Sequence, residues 1–301
     1  MIELAEPKSL PVLSITDLEI EPGSGKLWVL DGESHNLRAF DDGAPSFSVG
    51  SIGNQPGDLF YPEEFQLLPG GGFAIFDAGN ERVQVFDRGG RLQREVRPKT
   101  KAVGLAVTST KDSLLGEPAT EALVARYGAD GSSMSPVGTL RNTEALASPQ
   151  ARLGNNRVHL QVGAADELWI AFLHELRVQK YSADGRLLLD LDLTLSLKEH
   201  GVSPDVERLP RLNTDGETLP VLIVDSSYQP IRDWLWLLLG DGAIVGLQPS
   251  GELGFVGRLQ SPQPFGQIAA APGAAVALIL GEFSSGKILE INFPSTQTWL
   301  D

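Results

Sequence analysis

Short apolar runs alternate along the chain with breaks rich in Gly, Pro, Asn and Asp. The clearest stretch is FQLLPGGGFAIFDAGNERVQVFDRGGRLQREV, from Phe65 to Val96. FQLL, FAIFD, RVQVFD and RLQREV read as strands. PGGG, AGNE and RGG between them have the chemistry of tight turns. An antiparallel meander of four strands is the simplest object that fits. No long segment places apolar residues at i, i+3, i+4 and i+7. The best helical stretches, SLKEHG and SPDVERL within Thr194–Leu219, predict loop with a turn or two of local helix.

The unit recurs. It runs from Asp17 to Gly50, from Val158 to Leu193 and from Val221 to Leu259, with more worn copies starting at Val103 and Gly266. The third strands are anchored by Phe40, Phe86, Tyr127, Tyr181, Leu247 and Ile291. The second strands, such as LWVL, FAIF, LWIA, LWLLL and VALIL, are apolar at consecutive positions, which predicts burial on both faces. Radial stacking buries two faces per unit and leaves only short edges. The expected fold is therefore all-β, a six-bladed β-propeller of four-stranded antiparallel blades. Residues 1–301 form one domain in this reading, with blades near 15–50, 63–97, 102–140, 157–195, 219–260 and 265–300. A linear solenoid is the alternative, but its repeats are usually shorter and need polar caps. Ser9–Leu13 is a spare strand that can close the last blade, and Thr296–Leu300 competes for the place.

The second unit carries a motif. Gly50-Ser-Ile-Gly53-Asn-Gln-Pro56-Gly57-Asp-Leu-Phe60-Tyr-Pro62 leads into Phe73-Ala-Ile-Phe-Asp77-Ala-Gly-Asn80-Glu-Arg82-Val-Gln-Val-Phe86-Asp87. This resembles the NHL-repeat family of six-bladed propellers: a glycine-rich link, then a V-x-D-x-x-N-x-R-V-x-x-F hairpin. The motif is complete in about one blade. The first unit keeps Asp31 and Phe40 but has Ser34 and Asn36 in place of Asn80 and Arg82, and the fourth keeps Arg177 and Tyr181 but has Phe172 at the Asp position. The resemblance implies a fold rather than a reaction.

Composition narrows the partners. The net charge is −15, from 24 Lys+Arg against 39 Asp+Glu. This argues against nucleic acid, whose phosphates need a basic face, and against an anionic membrane surface. The absence of cysteine excludes disulfides, thiolate metal sites and Cys nucleophiles. Apolar runs such as Trp234–Leu239 are far short of the roughly 18–20 residues of a membrane span. Residues 1–30 hold no basic region followed by an apolar one. Acidity and the lack of Cys suit an extracytoplasmic chain, periplasmic or secreted, whose signal peptide has been removed.

Topology selects a face. Strands in a meander alternate in direction, so second–third strand turns and interblade links share one side. The longest irregular segments, Ser51–Pro62, Arg141–Asn156 and Thr194–Leu219, are links, and long loops in compact domains are often functional. Candidate ligand-binding residues on this face are Glu63, Glu64, Arg141, Asn142, Arg157, Arg208 and Arg211, with His35, His174 and His200 nearby. The arginines form a local basic excess opposite Glu63, Glu64 and Asp77, a rim of separated signs suited to orienting a charged partner. Asp31, Asp77, Asn80, Arg82 and Arg177 are read as turn-fixing and interblade residues. His159, within an inner strand, reads as a structural histidine.

The leading function is non-enzymatic: a binding or scaffolding propeller that docks a protein, peptide or glycan on the long-loop face. A structural subunit of a larger assembly is one alternative. The other is a metal-dependent hydrolase or lyase. The resemblance brings with it lyases that hold zinc with histidines and lactonases that hold a cation with a carboxylate, Asn and Asp; only His159 is placed for the first, and Glu64 with Asn142 supply residue types for the second. No cofactor is implied, though Glu63-Glu64 leaves room for a divalent cation at the channel mouth. No G-x-S-x-G, H-E-x-x-H, P-loop or G-x-G-x-x-G is present.

Overall fold

The computed structural model describes residues 8–118, 122–141, 154–214, 217–259, 265–271, 277–282 and 287–292. In chain order the strands are β1 (Lys8–Ser9), β2 (Ile15–Ile20), β3 (Leu27–Asp31), β4 (Asn36–Asp41), β5 (Ala44–Val49), β6 (Pro62–Leu67), β7 (Phe73–Asp77), β8 (Arg82–Phe86) and β9 (Leu92–Val96). Then come β10 (Leu105–Val107), β11 (Ser113–Gly116), β12 (Val124–Tyr127), β13 (Ser133–Val137), β14 (Val158–Val162), β15 (Leu168–Phe172), β16 (Arg177–Tyr181) and β17 (Leu187–Asp192). Helix α1 (Thr194–Glu199) precedes β18 (Arg211–Thr214), β19 (Glu217–Pro220), β20 (Ile223–Gln229), β21 (Trp234–Leu239), β22 (Ala243–Leu247) and β23 (Leu253–Arg258). The chain ends on β24 (Phe265–Ala270), β25 (Ala277–Glu282) and β26 (Lys287–Asn292).

These strands make six four-stranded antiparallel blades and one small hairpin, β18–β19, with almost no helix. The chain divides into two compact units of three blades each. The first unit holds β2–β5, β6–β9 and the last blade, ordered β1-β26-β25-β24. The second holds β10–β13, β14–β17 and β20–β23.

The hydrophobic pattern explains the layering. Second strands β3, β7, β15 and β21 are buried at every residue, because blades cover both of their faces. The third-strand anchors Phe40, Phe86, Tyr127, Tyr181, Leu247 and Ile291 are all buried. Outer strands β5 and β17 are mostly exposed, as fourth strands facing water should be. In the first unit Trp28, Leu30, Leu37, Phe65, Ile75 and Phe86 fill the space between blades 1 and 2. In the second, Trp169, Val178, Leu237 and Val245 pack blade 4 on blade 5, and Leu197 of α1 joins them. Gly72, at φ +93°, is required: a Cβ there would lie 2.4 Å from the Phe86 carbonyl oxygen.

The inner edges are covered by side chains. Asp17 and Glu19 of β2 accept hydrogen bonds from the Phe65 and Leu67 N–H groups of β6, at 2.8 and 2.9 Å. In the second unit Gln161 of β14 donates to the Ser226 carbonyl of β20 at 2.9 Å. Exposed strand edges attract foreign strands, and these contacts occupy the groups that would pair.

Two expectations change in detail. Among the described residues, N-terminal pairing involves Lys8–Ser9, which joins β26 with Lys8 opposite Ile288; Leu10 and Val12 instead bury their side chains against Ile15, Leu18 and Ile288. Thr296–Leu300 lies outside the described residues. The segment Thr194–Leu219 holds the short α1 but also the hairpin β18–β19, which the hydrophobic pattern does not announce.

Candidate functional site

In the first unit the expected turn-fixing residues are tightly engaged. Asp31 accepts hydrogen bonds from the N–H groups of Leu13, Ser14 and Ser34, at 3.0, 3.2 and 3.1 Å. Burial raises its pKa, but these bonds outweigh burial and hold the carboxyl below its ordinary value. Asp77 accepts from Phe60 N–H, Asn80 Nδ2 and Arg82 Nε, at 2.7, 2.9 and 2.8 Å. Arg82, only 1% exposed, also donates to Glu95 at 2.8 Å and to the carbonyls of Gln55 and Asp58 at 2.9 and 3.0 Å. Asn80 reaches the Gly53 carbonyl at 2.9 Å. The motif of blade 2 thus sews the link 50–62 to its own hairpin. Glu63 is exposed and Glu64 half-buried, where a bulge opens β6.

In the second unit the candidate arginines have separate attachments. Arg141 pairs with Glu175 at 3.1 Å, and Asn155 bonds the same carboxylate at 3.2 Å. Asn142 lies outside the described residues. Arg177 donates to Asp190 at 2.5 Å, a bond that raises its pKa further. Arg208 is exposed and pairs with Asp205 at 3.2 Å. Arg211 spans its hairpin to the Thr218 carbonyl at 3.0 Å. His200 bonds the Ser196 carbonyl on α1 at 2.8 Å. Arg208 and Arg211 therefore stand apart from Arg157 in their contacts, and Asp77 is enclosed rather than on a rim.

What the fold does gather is Arg157, His159, His174 and Asp225. Arg157 directly precedes β14, and its carbonyl accepts the Leu173 N–H at 3.1 Å. His159 follows two residues on, so both side chains leave the same face of the strand. Its Nδ1 lies 3.8 Å from Asp225 of β20. His174, in the β15–β16 turn, sets its Nδ1 2.6 Å from the Pro220 carbonyl. The next contact along, from Leu222 N–H to the Leu173 carbonyl at 2.7 Å, locks the entering strand β20 against that turn.

Three nitrogens in this cluster are buried and lack a partner: Arg157 Nε, His159 Nε2 and His174 Nε2. Such orphans are rare and costly, so they mark places where something else completes the bonding. Burial drives the His159 pKa from 6.5 to about 4; contact with the Ile223 backbone works the other way, and the Arg157 charge adds to burial. Burial and then Arg157 lower His174 too, against the upward pull of its bond to Pro220. Both rings are neutral at pH 7. A carbonyl only accepts, so the short contact to Pro220 puts the His174 proton on Nδ1. Its Nε2 is then a bare acceptor. The bond to the Ile223 backbone, made while Nε2 has no partner, favours the same tautomer in His159. The cluster therefore offers a fixed guanidinium donor and two imidazole acceptors.

Arg157 and His174 were legible as candidates. The role of His159 was not, since a histidine in an apolar strand ordinarily finds its partners inside. Its spacing from Arg157 in RVHLQV was the available signal. Asp225 carried none, because its place depends on the packing of β20 on β14. Among the described residues no three His, Asp or Glu side chains gather as a cation site would need.

No family model matches the chain. No curated protein matches it either. Solved structures do. Virginiamycin B lyase from Staphylococcus aureus superposes with a TM-score of 0.60 at 13% identity, over 99% of this chain and 90% of that one. The β-propeller domain of Cps50 (Swd1) from Myceliophteria thermophila gives 0.59 at 11%, over 97% and 100%. U3-55K gives 0.62 at 12%, over 97% and 100%. At such identities the likeness is one of fold, and with the six sheets it makes this chain a six-bladed β-propeller.

Proposed function

We propose that this propeller is a binding module that docks a peptide segment of a partner protein on the long-loop side of blade 4. The observation that carries this is the trio of buried, unpartnered nitrogens on Arg157, His159 and His174. A peptide group has one acceptor and one donor, C=O and N–H. Arg157 Nε matches the first and the imidazole Nε2 atoms match the second. Binding then adds directional hydrogen bonds to these buried atoms, which is where specificity originates.

The same residues are poorly tuned for proton abstraction. A base works best with a pKa near the operating pH, and His159 at about 4 retains little basicity at neutral pH. This favours binding over a lyase-like reaction, although lyases are among the structural neighbours. The motif of blade 2 supports an NHL-type reading of that repeat.

Imidazole 15N spectra test the proposal, with acetyl-triglycine methylamide and cellotriose as probes. The peptide should move the Nε2 signals of His159 and His174 and leave His200 unchanged. Silence of both rings towards the peptide, or a response to the sugar alone, would overturn it.

A further inference from the structure

A second surface, in the first unit, is built differently. Phe60 and Tyr61 end the link that leads into β6, and both are exposed, Tyr61 at 59%. Their rings meet edge to face at 4.6 Å between centroids, and His35 packs on both, at 5.7 and 5.0 Å. Ile52 of the same link is 67% exposed and is bridged to Leu59. Large apolar side chains scattered singly need no explanation, but a contiguous aromatic patch does.

The patch is held in place. Tyr61 has φ +46°, a conformation that bulky residues rarely adopt. Its N–H donates to His35 Nδ1 at 3.0 Å, and the Phe60 carbonyl accepts from Gly79 N–H at 2.8 Å. Two turns, 32–35 and 78–81, therefore clamp the aromatic pair from either side. Strained backbone persists where surrounding contacts over-determine it, and here it presents a tyrosine ring to solvent.

The segments that build the patch carry charge of one sign. Each element touching the pair carries an exposed glutamate: Glu33, Glu63 and Glu81. Segments 31–37, 50–64 and 78–81 contain no Lys or Arg. The nearest cations in sequence are engaged: Arg38 with Asn36 and the Pro11 carbonyl, Arg82 with Asp77 and Glu95, Arg97 with Glu95 and the Asn80 carbonyl. An exposed aromatic face on segments that carry carboxylates and no cations of their own attracts a cation through its π-electrons and the local field together.

We infer that the Phe60–Tyr61 patch is a docking surface for a basic peptide segment, an Arg or Lys side chain lying on the Tyr61 ring while Glu33, Glu63 and Glu81 hold its charge. The inference stands apart from the cluster at Arg157.

The probe is acetyl-Gly-Arg-Gly-Arg-Gly amide, with its Glu-for-Arg counterpart as control, followed by calorimetry and by the aromatic NMR signals of Tyr61. The arginine peptide should bind and the glutamate peptide should not. Tyr61→Ala should weaken binding about tenfold, a loss of the size expected for one desolvated cation–π contact. Glu33→Gln with Glu63→Gln should weaken it several-fold and flatten its salt dependence. Because these glutamates are exposed, the double variant keeps the fold should Tyr61→Ala disturb it. Equal binding of the two peptides, no binding of the arginine peptide, or full affinity in the glutamate variant would each overturn the inference.

Discussion

Replacing Arg82 by methionine is the sharpest test of how the blade 2 motif works. The substitution keeps most of the volume and removes every donor. Four hydrogen bonds go, to Asp77, Glu95 and the carbonyls of Gln55 and Asp58. The loss is uneven. The Asp58 carbonyl keeps a bond from Gln84 Nε2 at 2.7 Å, and Asp77 keeps those from Phe60, Asn80 and, at 3.4 Å, Gln84. The Gln55 carbonyl and the charge of Asp77 are left short. Breaking a buried ion pair from one side costs about 3–5 kcal/mol. The three bonds that Asp77 retains place the cost near the lower end, about 3 kcal/mol. Urea unfolding followed by tryptophan fluorescence would show the midpoint falling at constant slope. Asp77→Asn removes the stranded charge, so the double variant should lose less than the sum of the singles by at least about 1 kcal/mol. A loss below about 1 kcal/mol for Arg82→Met, or strict additivity with Asp77→Asn, would show that the guanidinium is not what binds the link 50–62 to its hairpin.

Three further outcomes are expected. The His159 pKa falls from 6.5 to about 4 on folding, so the unfolded chain holds the extra proton between those values; stability is full above pH 6.5, drops by about 3 kcal/mol as pH falls to 4, and this part of the slope vanishes in His159→Gln. Deleting residues 1–13 removes β1 and uncovers the sites of Leu10 and Val12, both over nine-tenths buried; the loss should be about 3–5 kcal/mol from apolar area alone, and an unchanged melting temperature would refute it. Asp17→Ala and Glu19→Ala should each cost about 1–2 kcal/mol and speed hydrogen exchange at the Phe65 and Leu67 amides they cover, with unaltered exchange refuting the contact.

The blades were legible because two signals coincide in them: turn chemistry at each break, and apolar residues on both faces of second strands. Phe40, Phe86, Tyr181 and Leu247 mark the third strand through that logic alone. The hairpin β18–β19 was hidden by its polar strands, RLNT and ETLP, although Asp215-Gly216 between them is a strong hairpin dipeptide. The site was half legible. Residue type marks Arg157 and His174, but the tautomer of His174 follows from one carbonyl that the next link brings to it. Burial was the least readable property. Only the repeat motif of blade 2 sets Arg82, enclosed by four bonds, apart from Arg208, which faces water beside Asp205; residue type alone does not.

The seam between β1 and β26 has a consequence for biosynthesis. Five of the six blades are contiguous in sequence and can form as soon as their own strands leave the ribosome. The sixth cannot. At cellular rates of translation, β1 waits on the order of tens of seconds for its partner to be made. Two residues of strand are too short an edge to recruit a foreign chain. Leu10 and Val12 are a different matter, since the surface that buries them includes Ile288 of β26. During that interval they lean on blade 1 alone, through Ile15, Leu18 and Phe40, and the arrival of β26 is the event that completes their cover.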